Sequence, residues 1–251
     1  WHQLDKNTGA LFNLGKIAIS CDLCVSKNVN ELIVVTSDKA FGKACKGIQN
    51  IVIYSTLDDF VRSESCQNAL KETEVVDNFE SIIEYLKAKA NKITELASPK
   101  LFDELDGHAF SDPFIPDDNN EATISMLDIP SDIGLDFDVA EYYGNGIIAI
   151  PFEFEMDVVA DYYIFKSDFF TLSDERANTI NISEYDNRHY FEAEEEFSLT
   201  VSGRIAVTFN LLQVPNGETI LNYLDNLISS MSVEVSEIDE ITVNNPDYEY
   251  E

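Results

Sequence analysis

Two short apolar runs, Leu32–Val35 (LIVV) and Ile51–Tyr54 (IVIY), punctuate the first quarter of the chain. Continuous runs of this length suit strands buried on both faces, as in a parallel sheet. Before the first run, residues 16–27 mix Ile17, Ile19, Leu23 and Val25 with small residues and predict a helix over one sheet face. After it come Thr36, Ser37 and Asp38, any of which can cap a helix through Cys45. Ser55 and Thr56 then open a helix over residues 57–63, with Asp58 and Asp59 in its first turn, where carboxylates favour the helix dipole. Helix–strand–helix–strand–helix predicts parallel strands with right-handed crossovers.

The pattern then lengthens. Over residues 66–105, Val76, Phe79, Ile82, Ile83, Leu86, Ala90, Ile93 and Leu96 recur at helical spacing, which predicts a long helical connector broken at Pro99. Residues 106–122, rich in Asp, Asn, Pro and Gly, predict a linker. Beyond it the period falls to two. Residues 148–160 alternate Ile148, Ile150, Phe152, Phe154, Met156 and Val158 with acids, the signature of a strand with one buried and one wet face. Residues 190–201 alternate likewise, except that Glu195 interrupts and suggests a bulge. Ser202-Gly203 predicts a tight turn, with Ile205, Val207, Phe209 and Leu211 closing a hairpin. Residues 162–172 and 179–183 are further strand candidates, Ile220, Leu224, Leu227 and Ile228 mark a helix, and Val233, Val235 and Ile241 a last strand. The expected fold is an α/β part with a parallel sheet (residues 1–65), the connector and linker, then a mainly antiparallel α+β domain (residues 123–245) and a polar tail (residues 246–251).

Charge sharpens this division. The formal net charge is −31, yet residues 1–50 hold six Lys/Arg against four Asp/Glu. Such asymmetry suggests two domains with different tasks. The acidic domain should repel nucleic acid, because phosphate affinity comes from Lys and Arg. No apolar run reaches membrane-spanning length, and no signal pattern opens the chain, so no membrane partner is expected. The sequence starts at Trp1, and the expectation is a fragment that lacks N-terminal residues. Cys21-Asp-Leu-Cys24 is a CxxC without the second ligand pair a zinc site needs. Together with Cys45 and Cys66 it reads as reduced thiols of a cytoplasmic protein.

Residues 16–65, with IVVTSDKAF followed by NIVIYSTLDDF, resemble the C-terminal part of a PIN-like nuclease domain. The family pattern is a buried strand ending in Thr/Ser-x-Asp, a short helix, an edge strand and a capped helix. Thr36, Asp38 and Phe41 match its first half; residues 51–54 and 55–60 match its second. The acidic β-rich region resembles, more loosely, the tail of some large bacterial PIN-like proteins. The resemblance implies a metal-dependent endoribonuclease of toxin or defence type. Three or four carboxylates would hold Mg²⁺ or Mn²⁺, hard ions that prefer oxygen ligands.

On that resemblance, Asp38 is a metal-ligating catalytic carboxylate, and Thr36 orients a ligand or phosphate. Asp22 is the nearest helical carboxylate, since residues 15–18 read Gly-Lys-Ile-Ala. Lys39 and Lys43 would meet RNA phosphates. The acidic domain would take a protein partner, an antitoxin or regulator. The alternative is a non-catalytic interaction or sensor protein, with a degenerate PIN-like scaffold and an acidic β-rich binding module. Asp157, Asp161 and Glu184 read as a solvated sheet face. Asp117-Asp118-Asn119-Asn120 opens like a Ca²⁺ loop but lacks its Gly and closing Glu.

Overall fold

The computed structural model describes residues 32–46, 51–183, 187–215 and 217–244. The chain divides into two compact units, Trp1–Lys71 and Glu72–Glu251. The fold is mixed: a small parallel sheet in the first unit and a large antiparallel sheet with helices in the second.

In the first unit, β1 (Leu32–Val35) pairs in parallel with β2 (Ile51–Tyr54), Leu32 opposite Ile51 and Val35 opposite Tyr54. Helix α1 (Lys39–Cys45) lies between them in sequence, and α2 (Leu57–Val61) follows β2. The parallel pairing agrees with the sequence pattern; burial on both faces does not. Leu32 and Val34 are half-buried, whereas Ile33 is 37% and Val35 41% exposed. The apolar run records strand propensity of β-branched residues rather than two covered faces.

The unit boundary falls within α3 (Glu64–Asp77). The expected long connector is three helices: α3, α4 (Phe79–Lys87) and α5 (Ala90–Leu105). The breaks reset the helical phase, so Val75 is buried while Val76 is exposed. Helix α5 continues through Pro99. Ile93, Ala97, Leu101 and Leu105 are all fully buried along one side, and that burial outweighs the hydrogen bond Pro99 forgoes.

Residues 106–122 are built into the second unit. They form β3 (Ala109–Ser111) and bury Phe110 and Ile115 in its core. The sheet continues with β4 (Glu121–Leu127), β5 (Gly134–Leu135), β6 (Glu141–Gly144), β7 (Ile147–Phe165), β8 (Ile180–Ser183), β9 (Tyr190–Thr208) and β10 (Ser232–Val243). Two short helices, α6 (Lys166–Phe169) and α7 (Asp174–Ala177), lie between β7 and β8; α8 (Ile220–Ser229) precedes β10. Strands β7 and β9, 19 residues each, form an antiparallel spine paired without a register shift from Ile147–Thr208 to Phe165–Tyr190. Strands β4, β5 and β6 line the other edge of β7, while β8 and β10 line that of β9.

Period-two patterning decides the spine's faces. Ile148, Ile150, Phe152 and Phe154 of β7, with Phe197, Leu199, Val201 and Ile205 of β9, point into one core. Ile82 and Leu86 of α4, the buried row of α5, and Leu224 and Leu227 of α8 belong to the same core. The opposite side exposes the intervening acids, among them Glu155, Asp157, Glu194 and Glu196.

Two local expectations reverse. Ser202-Gly203 is not a turn, because β9 runs straight through it. A Cβ on Gly203 would stand 2.3 Å from the Glu237 carbonyl and 2.9 Å from Cζ of Phe152. The glycine serves close approach at a register shift between Val235 and Glu237 of β10. Glu195 makes no bulge either; it pairs with Ala160 and Ile180 in regular register and faces inward.

Candidate functional site

Thr36 and Asp38, singled out by the resemblance, directly follow the carboxyl end of β1, where open α/β sheets carry their ligands. The Thr36 amide donates to the Tyr54 carbonyl at 2.9 Å, extending the ladder by one residue. Thr36 Oγ1 accepts from the Asp38 amide at 3.2 Å. Asp38 is the N-cap of α1: its Oδ1 accepts from the Ala40 amide at 2.9 Å and the Phe41 amide at 3.1 Å. This satisfies two of the helix's orphan donors and by itself accounts for a carboxylate at that position. Lys39 and Lys43 are exposed on α1. Asp22 lies outside the described residues, as do Cys21 and Cys24. Cys45 is buried and Cys66 half-buried.

Among the described residues, no three or more His, Cys, Asp or Glu side chains are gathered so as to hold a metal. The donors present therefore do not by themselves make a Mg²⁺ or Mn²⁺ site. Asp38 is the single predicted ligand that the structure positions.

A second concentration of polar chemistry was not anticipated. Glu195, 3% exposed, lies inside the second unit. Arg176 of α7 meets it with both terminal guanidinium nitrogens, one of them 2.8 Å from Oε2, and also donates to the Thr179 hydroxyl at 2.8 Å and the Phe114 carbonyl at 3.5 Å. Tyr162 donates to Oε2 at 2.8 Å and Thr179 to Oε1 at 2.9 Å. The guanidinium also lies over the Phe114 ring, 4.3 Å from its centroid. A bidentate pair with its remaining lone pairs occupied is the form in which a buried charge is tolerated. Burial pushes the Tyr162 hydroxyl well above the usual phenol range, an effect that the nearby Arg176 charge partly offsets. The signal in the sequence was the break in alternation at Glu195. Its partner lies nineteen residues upstream, between the two segments read as strands, residues 162–172 and 179–183.

Tyr162 also lines an open cavity of about 400 Å³, with Asp117, Asn119, Glu121, Thr123, Asp161, Tyr163 and Glu192. Asp117 caps the turn there, its Oδ2 accepting from the Asn119 amide at 3.0 Å. The cavity wall is thus acidic, with Tyr163 as its exposed aromatic, and it lies on the sheet face expected to be merely solvated.

The class these observations define is a mixed α/β chain: a small parallel two-stranded unit followed by a helix-backed antiparallel sheet. No family model, curated protein or solved structure matches the chain significantly. No helix among the described residues is long and apolar enough to cross a membrane.

Proposed function

We propose that this chain is part of a metal-dependent endoribonuclease of toxin or defence type, with an acidic β-rich module that takes a protein partner. The observation that carries the reading is the parallel pairing of β1 with β2, which sets Thr36 and Asp38 together at the carboxyl edge of the sheet. With Oδ1 turned to the helix amides, Asp38 would offer Oδ2 as a cation ligand. The remaining carboxylates would come from outside the described residues. A Mg²⁺ or Mn²⁺ bound there would lower the pKa of a bound water and offset charge on the phosphate. Thr36 steadies the loop that presents Asp38, and Lys39 and Lys43 would draw in the RNA backbone.

The test is cleavage of single-stranded RNA by the full-length natural protein with Mn²⁺. Asp38→Asn retains a good helix cap but weakens a metal ligand, and it should abolish cleavage. Unchanged cleavage in that variant removes Asp38 from the site.

The competing reading is a non-catalytic interaction protein. It is supported by the capping role that already explains Asp38, and by the acidic cavity of the second unit. Absence of Mn²⁺-dependent cleavage by the full-length natural protein would favour it.

A further inference from the structure

We infer that the outer face of the β7–β9 spine is a docking surface for an extended, arginine- and lysine-rich polypeptide segment. The sheet's other face is packed into the core, whereas this one is open. It exposes Glu155, Asp157 and Asp161 from β7 and Glu192, Glu194 and Glu196 from β9. The described ion pairs leave all six out, joining Lys87 to Asp138, Lys100 to Glu234, Arg176 to Glu195 and Arg204 to Asp239. Asp161 stands directly opposite Glu194 in the register. Like charges so placed destabilise an antiparallel pair, and no cation of the described chain relieves them.

Carboxylates alone would mean no more than solubility. The same face, however, ends in an aromatic wall. Tyr163, 46% exposed, stands opposite Glu192. Beside it Phe165 and Tyr190 stack at a centroid distance of 4.2 Å. The cavity of about 400 Å³ opens where acids and Tyr163 meet. Aromatic faces beside carboxylates suit guanidinium and ammonium groups, which gain cation–π contact and ion pairing together.

The charge of the face selects its occupant. A second copy of this chain would bring like charge, and nucleic acid would bring phosphate. Side chains of an extended segment recur on one side at roughly 6.5–7 Å, two residues of strand rise, a spacing that matches the exposed positions of β7 and β9. This inference rests on the proposal that the acidic module takes a protein partner, and it holds whether or not the chain cleaves RNA.

The experiment is binding of a fluorescent arginine-rich peptide to the whole chain at moderate salt. Three variants accompany it: Asp161→Lys with Glu194→Lys on the face, Glu95→Lys with Glu104→Lys on the exposed side of α5, and Tyr163→Ala. The two double variants change the net charge equally. The wild type should bind, the face variant should lose about tenfold or more, the α5 variant should bind nearly as well as wild type, and Tyr163→Ala should weaken binding several-fold. Equal losses in the two double variants would reduce the effect to diffuse charge and overturn the proposal. Failure of the wild type to bind would do the same. Thermal unfolding of each variant separates lost binding from lost fold, and the face variant should unfold no lower than wild type.

Discussion

The guanidinium of Arg176 embraces the carboxylate of Glu195 on the inner side of β9, joining a short helix of the β7–β8 connection to the middle of the spine. The pair is 12% and 3% exposed, so neither charge is well solvated. Removing one charge strands the other. Glu195→Gln should therefore cost about 3 kcal/mol, within the range for broken buried pairs. Arg176→Met combined with Glu195→Gln leaves no orphan charge and should cost less than Glu195→Gln alone. Urea unfolding of the variants reads both values. A double variant less stable than the single one would show that the pair contributes by attraction rather than by mutual neutralisation.

Gly203 tests the close approach of three strands. Its missing Cβ leaves room for the Glu237 carbonyl and the Phe152 ring. Gly203→Ala should lower stability by about 1–3 kcal/mol, as overpacking does. The adjacent Ser202→Ala, on the half-buried outer side, should be nearly neutral. Thermal unfolding distinguishes them. Equal small effects would mean that β10 yields easily at its register shift.

These two sites also show what the sequence could and could not reveal. Alternation along β7 and β9 exposed the spine and its wet face, because a half-buried strand writes its period directly into residue type. It could not show that Gly203 lies within a strand, because a glycine serving close approach has the same letter as one in a turn. Nor could it pair Glu195 with Arg176, since the partner arrives through a loop excursion rather than a periodic position. The helices of residues 64–105 were legible from their apolar rows, while their breaks at Asn78 and at Ala88-Lys89 carry no Gly or Pro to announce them. Around the candidate site, the order of β1, α1, β2 and α2 was readable from caps and apolar runs. Whether Asp38 is more than a cap depends on neighbours that a linear motif does not contain.

Tyr142 gives a pH dependence. Its hydroxyl donates to the Glu72 carboxylate and accepts from the Gly146 amide at 3.1 Å. Burial first, then the bond to Glu72, push its pKa from 10.0 up to about 12. The raised value means that the folded state keeps its phenol proton after the unfolded chain has lost it. The stabilisation is fully present below pH 10.0 and is lost as the pH climbs to about 12. Tyr142→Phe should lower stability at neutral pH by about 1 kcal/mol, the worth of a hydrogen bond, and flatten the alkaline decline. Denaturant midpoints measured from neutral to alkaline pH check this. A decline of unchanged slope in the variant would assign the effect to other tyrosines.

Asp38 separates a structural role from a chemical one. As the N-cap of α1 it accepts two backbone amides, a task that Asn and Ser perform about as well and Ala does not. Asp38→Ala should therefore destabilise the first unit by about 1 kcal/mol, while Asp38→Asn and Asp38→Ser stay near wild type. Amide hydrogen exchange at Ala40 and Phe41 reports the cap directly, and protection there should fall in the alanine variant alone. If the asparagine and serine variants keep that protection but lose Mn²⁺-dependent RNA cleavage in the full-length natural protein, the carboxylate has a second duty that capping cannot explain. If all three variants leave cleavage intact, Asp38 is a helix cap and nothing more, and the case for a ribonuclease loses the residue on which it turns.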